Sequence, residues 1–99
     1  MGYLVDFSIP ALKQLEALRA FERSAVVKAV EVQLIYEPTT QTQNRKPMRP
    51  NEMATWELRV GRIRVYYDVK EAPVAKVVVV AIGVKEGNRV YVGGKEASL

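Results

Sequence analysis

The stretch Trp56-Glu57-Leu58-Arg59-Val60-Gly61-Arg62-Ile63-Arg64-Val65-Tyr66-Tyr67-Asp68-Val69 decides the fold. Apolar Trp56, Leu58 and Val60 alternate with Glu57 and Arg59, and beyond Gly61 the same period of two resumes in Ile63, Val65, Tyr67 and Val69. Side chains two apart on a strand share a face, so this pattern predicts a β-hairpin turning at Gly61 with one apolar and one charged side. If Leu58, Ile63, Val65 and Tyr67 face a core, then Glu57, Arg59, Arg62, Arg64, Tyr66 and Asp68 face outward.

Working outward from the hairpin, Pro38 to Asn51 holds three prolines among Thr, Gln and Asn with no apolar period, and reads as a loop. Upstream, Tyr3 to Phe7 is a short β-prone run. Ser8 then supplies an N-cap and Pro10 a first-turn proline for a helix carrying Leu12, Leu15 and Leu18, ending near Ala20 or Phe21. A second helix, Glu22 to Tyr36, presents Val27, Val30 and Leu34 and stops before Pro38. Downstream, Glu71-Ala72-Pro73 is a turn, and Ala75 to Val84 is an apolar strand without alternation, as a strand covered on both faces requires. Lys85 to Asn88 turns the chain into a last strand, Arg89 to Val92, before Gly93-Gly94 and a polar tail. The order is βααββββ. Helices segregated from strands imply one α+β domain over residues 1–99, an N-terminal strand followed by a helical hairpin on one face of an antiparallel sheet.

Composition narrows the chemistry. The 99 residues include no cysteine and no histidine, which removes disulfides, thiolate nucleophiles, imidazole catalysis and the best zinc ligands. No metal or other cofactor is expected. The formal charge is +4, and the segment Arg45 to Arg64, with six basic residues against two acidic ones, carries the whole excess. A basic balance favours anionic partners. The N-terminus lacks the basic start of a signal peptide, and the longest apolar run, the eight residues Val77 to Val84, is too short for a bilayer. A cytoplasmic protein with no membrane partner is expected.

With Arg89 and Tyr91 assigned to the outer face, Arg59, Arg64, Tyr66, Arg89 and Tyr91 gather in one concavity. Arg45, Lys46 and Arg49 edge it from the loop, and Lys85 from the turn. Guanidinium groups bind phosphate and tyrosines accept stacked bases, so the surface suits single-stranded RNA better than duplex DNA, for which it offers no groove-reading helix. Arginine and tyrosine also populate antiparallel faces for strand propensity and solubility alone. Glu57 with Glu52 makes a weak carboxylate pair, since Arg59 lies nearby.

The order βααββββ, the loop NRKPMRPN, the hairpin and the ending AIGVKEGNRVYVGG together resemble the RelE/ParE superfamily of type II toxin–antitoxin toxins. That resemblance implies a small toxin held inactive by a cognate antitoxin. RelE-like members cleave mRNA on the ribosome without a metal, and ParE-like members poison DNA gyrase. By the same resemblance, Arg64 stands at the phosphate-binding arginine of RelE-type ribonucleases and Tyr91 at a terminal tyrosine near the scissile phosphate. Arg59 replaces a catalytic lysine, and Glu57 replaces a second basic residue. Lys46 stands before Pro47-Met48-Arg49 where other members carry a carboxylate, and Lys85 or Arg89 stands in for an arginine after the central strand. The expected reaction is in-line attack of a ribose 2′-OH on phosphorus. Arg59 and Arg64 stabilise the charge, Lys46, Lys85 or Glu57 takes the proton, and Tyr91 orients or donates. A ParE-like gyrase inhibitor and a catalytically degenerate member are the alternatives.

Overall fold

In the computed structural model of the chain, which describes residues 2–99, the elements run β1 (Leu4–Phe7), α1 (Ile9–Glu16), α2 (Ala20–Gln33), β2 (Arg45–Pro47), β3 (Trp56–Val60), β4 (Ile63–Lys70), β5 (Lys76–Glu86), β6 (Arg89–Val92) and β7 (Lys95–Ala97). They form one sheet of order β2-β3-β4-β5-β6-β7, antiparallel throughout except for β1, which pairs in parallel with the start of β5. The α+β architecture read from the sequence is therefore present. Two three-residue strands are additional. β2 lies inside the segment read as loop, and β7 inside the polar tail. Three residues are too few to show a period of two. What creates β7 is Gly93-Gly94, whose φ angles of +61° and +81° allow a two-residue turn that sends the chain back along β6.

The hairpin turns where expected, with Val60 opposite Ile63 and Gly61 at φ +59°. Leu58, Ile63, Val65 and Tyr67 are fully buried against the helices, which contribute Ala11 and Leu15 from α1 and Val26 and Val30 from α2, with Leu34 beyond its end. The apolar stripe of α2 thus starts at Val26, one turn after the buried Glu22, and Val27, the expected contact, is exposed. The helical joint falls at residues 17–19, earlier than Ala20 or Phe21. Arg23 fixes it by donating to the carbonyl of Glu16 at 3.1 Å, supplying one of the partners a helix end lacks.

β5 has β1 along residues 76–79 and β6 along residues 83–86 on the same edge, which leaves the backbone between them without a strand partner. α1 closes the gap. Ser8 accepts from the Ala11 N–H as N-cap and donates its hydroxyl to the Val80 carbonyl at 2.9 Å, and Gln14 Oε1 accepts from the Ile82 N–H at 2.8 Å. The register of β4 on β5 also shifts between Tyr66 and Tyr67, so that Val80 is passed over.

Candidate nucleic-acid interface

The outer face of the sheet is a grid of cross-strand neighbours. In one row Lys46 of β2 stands opposite Glu57 of β3, which stands opposite Tyr66 of β4, which faces Ala81 of β5. In the next row Arg59 stands opposite Arg64, which faces Gly83 and then Val92. Residues directly opposite on an antiparallel pair share a face, so Lys46, Glu57, Arg59 and Arg64 lie together on the outer face.

Part of this face is covered. Tyr66 and Ala81 are buried with Ala54 beneath Met48, Met53, Val80, Val90 and Val92, forming a second small core opposite the helices. Gly83 makes the cover possible, because a Cβ there would lie 2.8 Å from Val90 Cγ1 and 3.1 Å from Val92 Cγ2. Tyr66, expected to stack bases, is fully buried and offers no ring face to a ligand. Its phenol is pushed up to about 12, chiefly by burial and further by the Glu57 charge, against which Arg64 and Arg59 act.

What remains open is a hollow of about 260 Å³ at the β2–β3 end, lined by Lys46, Arg49, Asn51, Glu57 and Arg59, with Leu99 at its rim. Arg59 Nε donates to Glu57 Oε1 at 2.9 Å, leaving its terminal nitrogens free of that bond. The Glu57 side chain keeps 17% exposure at the floor. Arg64, at 8% exposure, lies behind Arg59 and turns one terminal nitrogen onto the carbonyls of Gly61 at 2.8 Å and Ile63 at 3.1 Å. Lys85 is exposed and projects on the outer face two residues beyond Gly83, outside the hollow.

Four expected site residues are elsewhere. Arg45, opposite Leu58, faces the helices. Its Nε donates to the Thr40 carbonyl at 3.0 Å and one terminal nitrogen to the Gln33 carbonyl, so it caps the end of α2. Arg62 reaches α2 and holds Glu22 with two hydrogen bonds, of 2.7 and 3.1 Å. Tyr91 and Arg89 are the main correction. Val90 and Val92 occupy the outer face, so Tyr91, opposite the core-facing Val84, sits on the helix side beside Gln14, Leu18 and Ile82. Arg89, opposite Glu86, shares that side and lies 3.7 Å from Glu96.

Asn51 is the neighbour of the hollow that the sequence pattern does not single out. Asn51 Oδ1 accepts from the N–H groups of Met53 and Ala54, while Nδ2 donates to the carbonyls of Arg49 and Ala54. One side chain therefore shapes the loop that presents Arg49 and covers Tyr66. The signal was an Asn after Pro50 in a turn-rich segment.

No family model matches the chain, and no curated protein matches it. A solved chain from the toxin–antitoxin complex RelBE2 of Mycobacterium tuberculosis superposes with a TM-score of 0.72 at 26% identity, across 86% of this chain and all of that one. This chain is RelE-like. Its N-terminal strand, two helices and sheet are the RelE-like α+β arrangement, with the hollow on the side of the sheet away from the helices. Among the described residues, no helix of this RelE-like chain is long and apolar enough to cross a membrane, and no three His, Cys, Asp or Glu side chains cluster.

Proposed function

We propose that this chain is the toxin of a type II toxin–antitoxin system, neutralised by a cognate antitoxin, and that it cuts mRNA on the ribosome with its own side chains. The RelBE2 likeness supports the toxin reading. The observation that carries the RNA reading is the outer-face hollow, where Lys46, Arg49 and Arg59 surround Glu57 with Arg64 behind. Arg59 stands directly opposite Arg64, and because Arg64 is turned onto the carbonyls of its own turn, Arg59 is the guanidinium of the pair that is open to a phosphate.

In the proposed reaction Glu57 takes the proton of a ribose 2′-OH, whose oxygen attacks the adjacent phosphorus in line. The bond from phosphorus to the 5′-oxygen breaks, leaving a 2′,3′-cyclic phosphate. Lys46, facing Glu57 across the strand pair, protonates the departing 5′-oxygen. Arg49 and Arg59 hold the negative charge of the transition state. The hollow is open on one side, so the ribosome, by fixing the mRNA, supplies the in-line orientation.

The test is expression in growing cells with mapping of RNA 5′ ends. Cleaved mRNA is expected with the native chain, and a loss of about 100-fold or more in Arg59→Ala, the effect of removing one charge-stabilising donor. Intact mRNA during growth arrest, or undiminished cleavage in Arg59→Ala, overturns the proposal. One observation favours a second reading, a member that binds RNA without cutting it: Tyr91 is on the wrong face to serve as acid. Binding without cleavage would establish that reading. Intact RNA with inhibited supercoiling would establish a gyrase-directed one.

A further inference from the structure

We infer that the hollow grips single-stranded RNA through its phosphodiester backbone and reads no base, so that binding by the isolated protein is indifferent to sequence. This rests on the RNA-directed reading above and specifies what the site recognises. Telling all four bases apart on a sheet surface requires either an exposed ring for stacking or both donors and acceptors for base edges. The chain has eight aromatic residues, and none provides a platform here. Trp56 and Tyr67 stack at 6.3 Å between centroids on the helix side. Tyr66 points outward but is covered, and Tyr91 lies on the opposite side. The remaining four lie on or beside β1 and α2, on the helical side of the molecule.

The hydrogen-bonding groups of the hollow give the same answer. Asn51, the one side-chain amide in its lining, spends both donor hydrogens and both acceptor positions on its own loop. Glu57 accepts from Arg59 through Oε1, and its other oxygen is the acceptor that the proposed reaction assigns to the ribose 2′-OH. The other groups left for a ligand are the ammonium of Lys46 and the guanidinium edges of Arg49 and Arg59, all donors and all cationic. Such a set matches phosphate oxygens and leaves acceptor-seeking base donors unmet.

The experiment measures binding of the full chain to 2′-fluoro RNA 12-mers, which lack the attacking hydroxyl and report affinity alone. Oligo-U, oligo-A, oligo-C and an alternating UG sequence are expected to bind within fivefold of one another. A wider spread overturns the inference, including the guanine preference of which arginine donors are capable. Three phosphate contacts on a single strand give a salt slope of about −2, so affinity falls about 20-fold between 50 and 200 mM KCl. A fall below fivefold, or no binding at 50 mM, also overturns it. Lys46→Gln and Arg49→Gln weaken every 12-mer by a common factor. Strongly base-selective binding together with mRNA cleavage would leave the proposed function standing and remove this inference. Uniform binding with intact mRNA would do the reverse.

Discussion

Arg62 and Arg64 stand two positions apart at the start of β4, and both guanidiniums are turned onto the protein itself. Arg62 grips Glu22, a buried carboxylate at the first turn of α2, and this hydrogen-bonded contact holds Glu22 below the usual carboxylate range. Burial opposes the shift but is the smaller effect. A carboxylate whose folded pKa is depressed contributes stability that is complete above its unfolded value, near 4.5, and is lost as pH falls through the folded value. The native chain is therefore expected to lose melting temperature on acidification from pH 5 to pH 3. Glu22→Gln should start lower at pH 6 and fall less steeply across that window. Thermal unfolding of both chains across the window checks this, and parallel curves would refute it. Arg64 shows why residue type alone misled: an arginine suits phosphate, but it equally suits the two carbonyls of its own turn.

At the scale of elements, the hairpin and both helices were legible because each carries enough residues for a period to repeat. The sidedness of β6 was not. β5 is apolar on both faces, so its pattern holds no parity, and the shift at Val80 reverses whatever parity its first half would have set. Tyr91 therefore lies on the face opposite to the expected one, whereas Glu57 and Arg59, on the well-patterned β3, face outward as its alternation predicts. The same interruption in β5 makes α1 a structural partner of the sheet. Gln14 satisfies the Ile82 N–H at a residue only 2% exposed, so Gln14→Leu strands a buried donor. A destabilisation of about 1–3 kcal/mol is expected. Gln14→Glu, which keeps an acceptor, should recover most of it. Urea denaturation of the three proteins measures the difference, and an unchanged midpoint in Gln14→Leu would show that the contact contributes nothing.

For the whole molecule, one sheet separates two environments. The helices seal one side. The loop around Asn51, together with β6, covers much of the other and leaves the basic hollow at the β2–β3 end. This division makes a sided prediction, since a substitution should act on RNA only if its side chain emerges into the hollow. Tyr91→Phe alters a hydroxyl on the helical side, beside Gln14 and Leu18, and is expected to leave RNA affinity and cleavage within twofold of the native chain. Lys46→Gln changes one ammonium opposite Glu57 and is expected to weaken 12-mer binding several-fold at 50 mM salt, with the melting temperature nearly unchanged because Lys46 is only half-buried. Binding, 5′-end mapping and thermal unfolding of the two variants side by side decide the matter. If Tyr91→Phe abolished cleavage while Lys46→Gln had no effect, the reacting phosphate would lie on the helical side, between α1 and β6, and the outer-face hollow would not be the site.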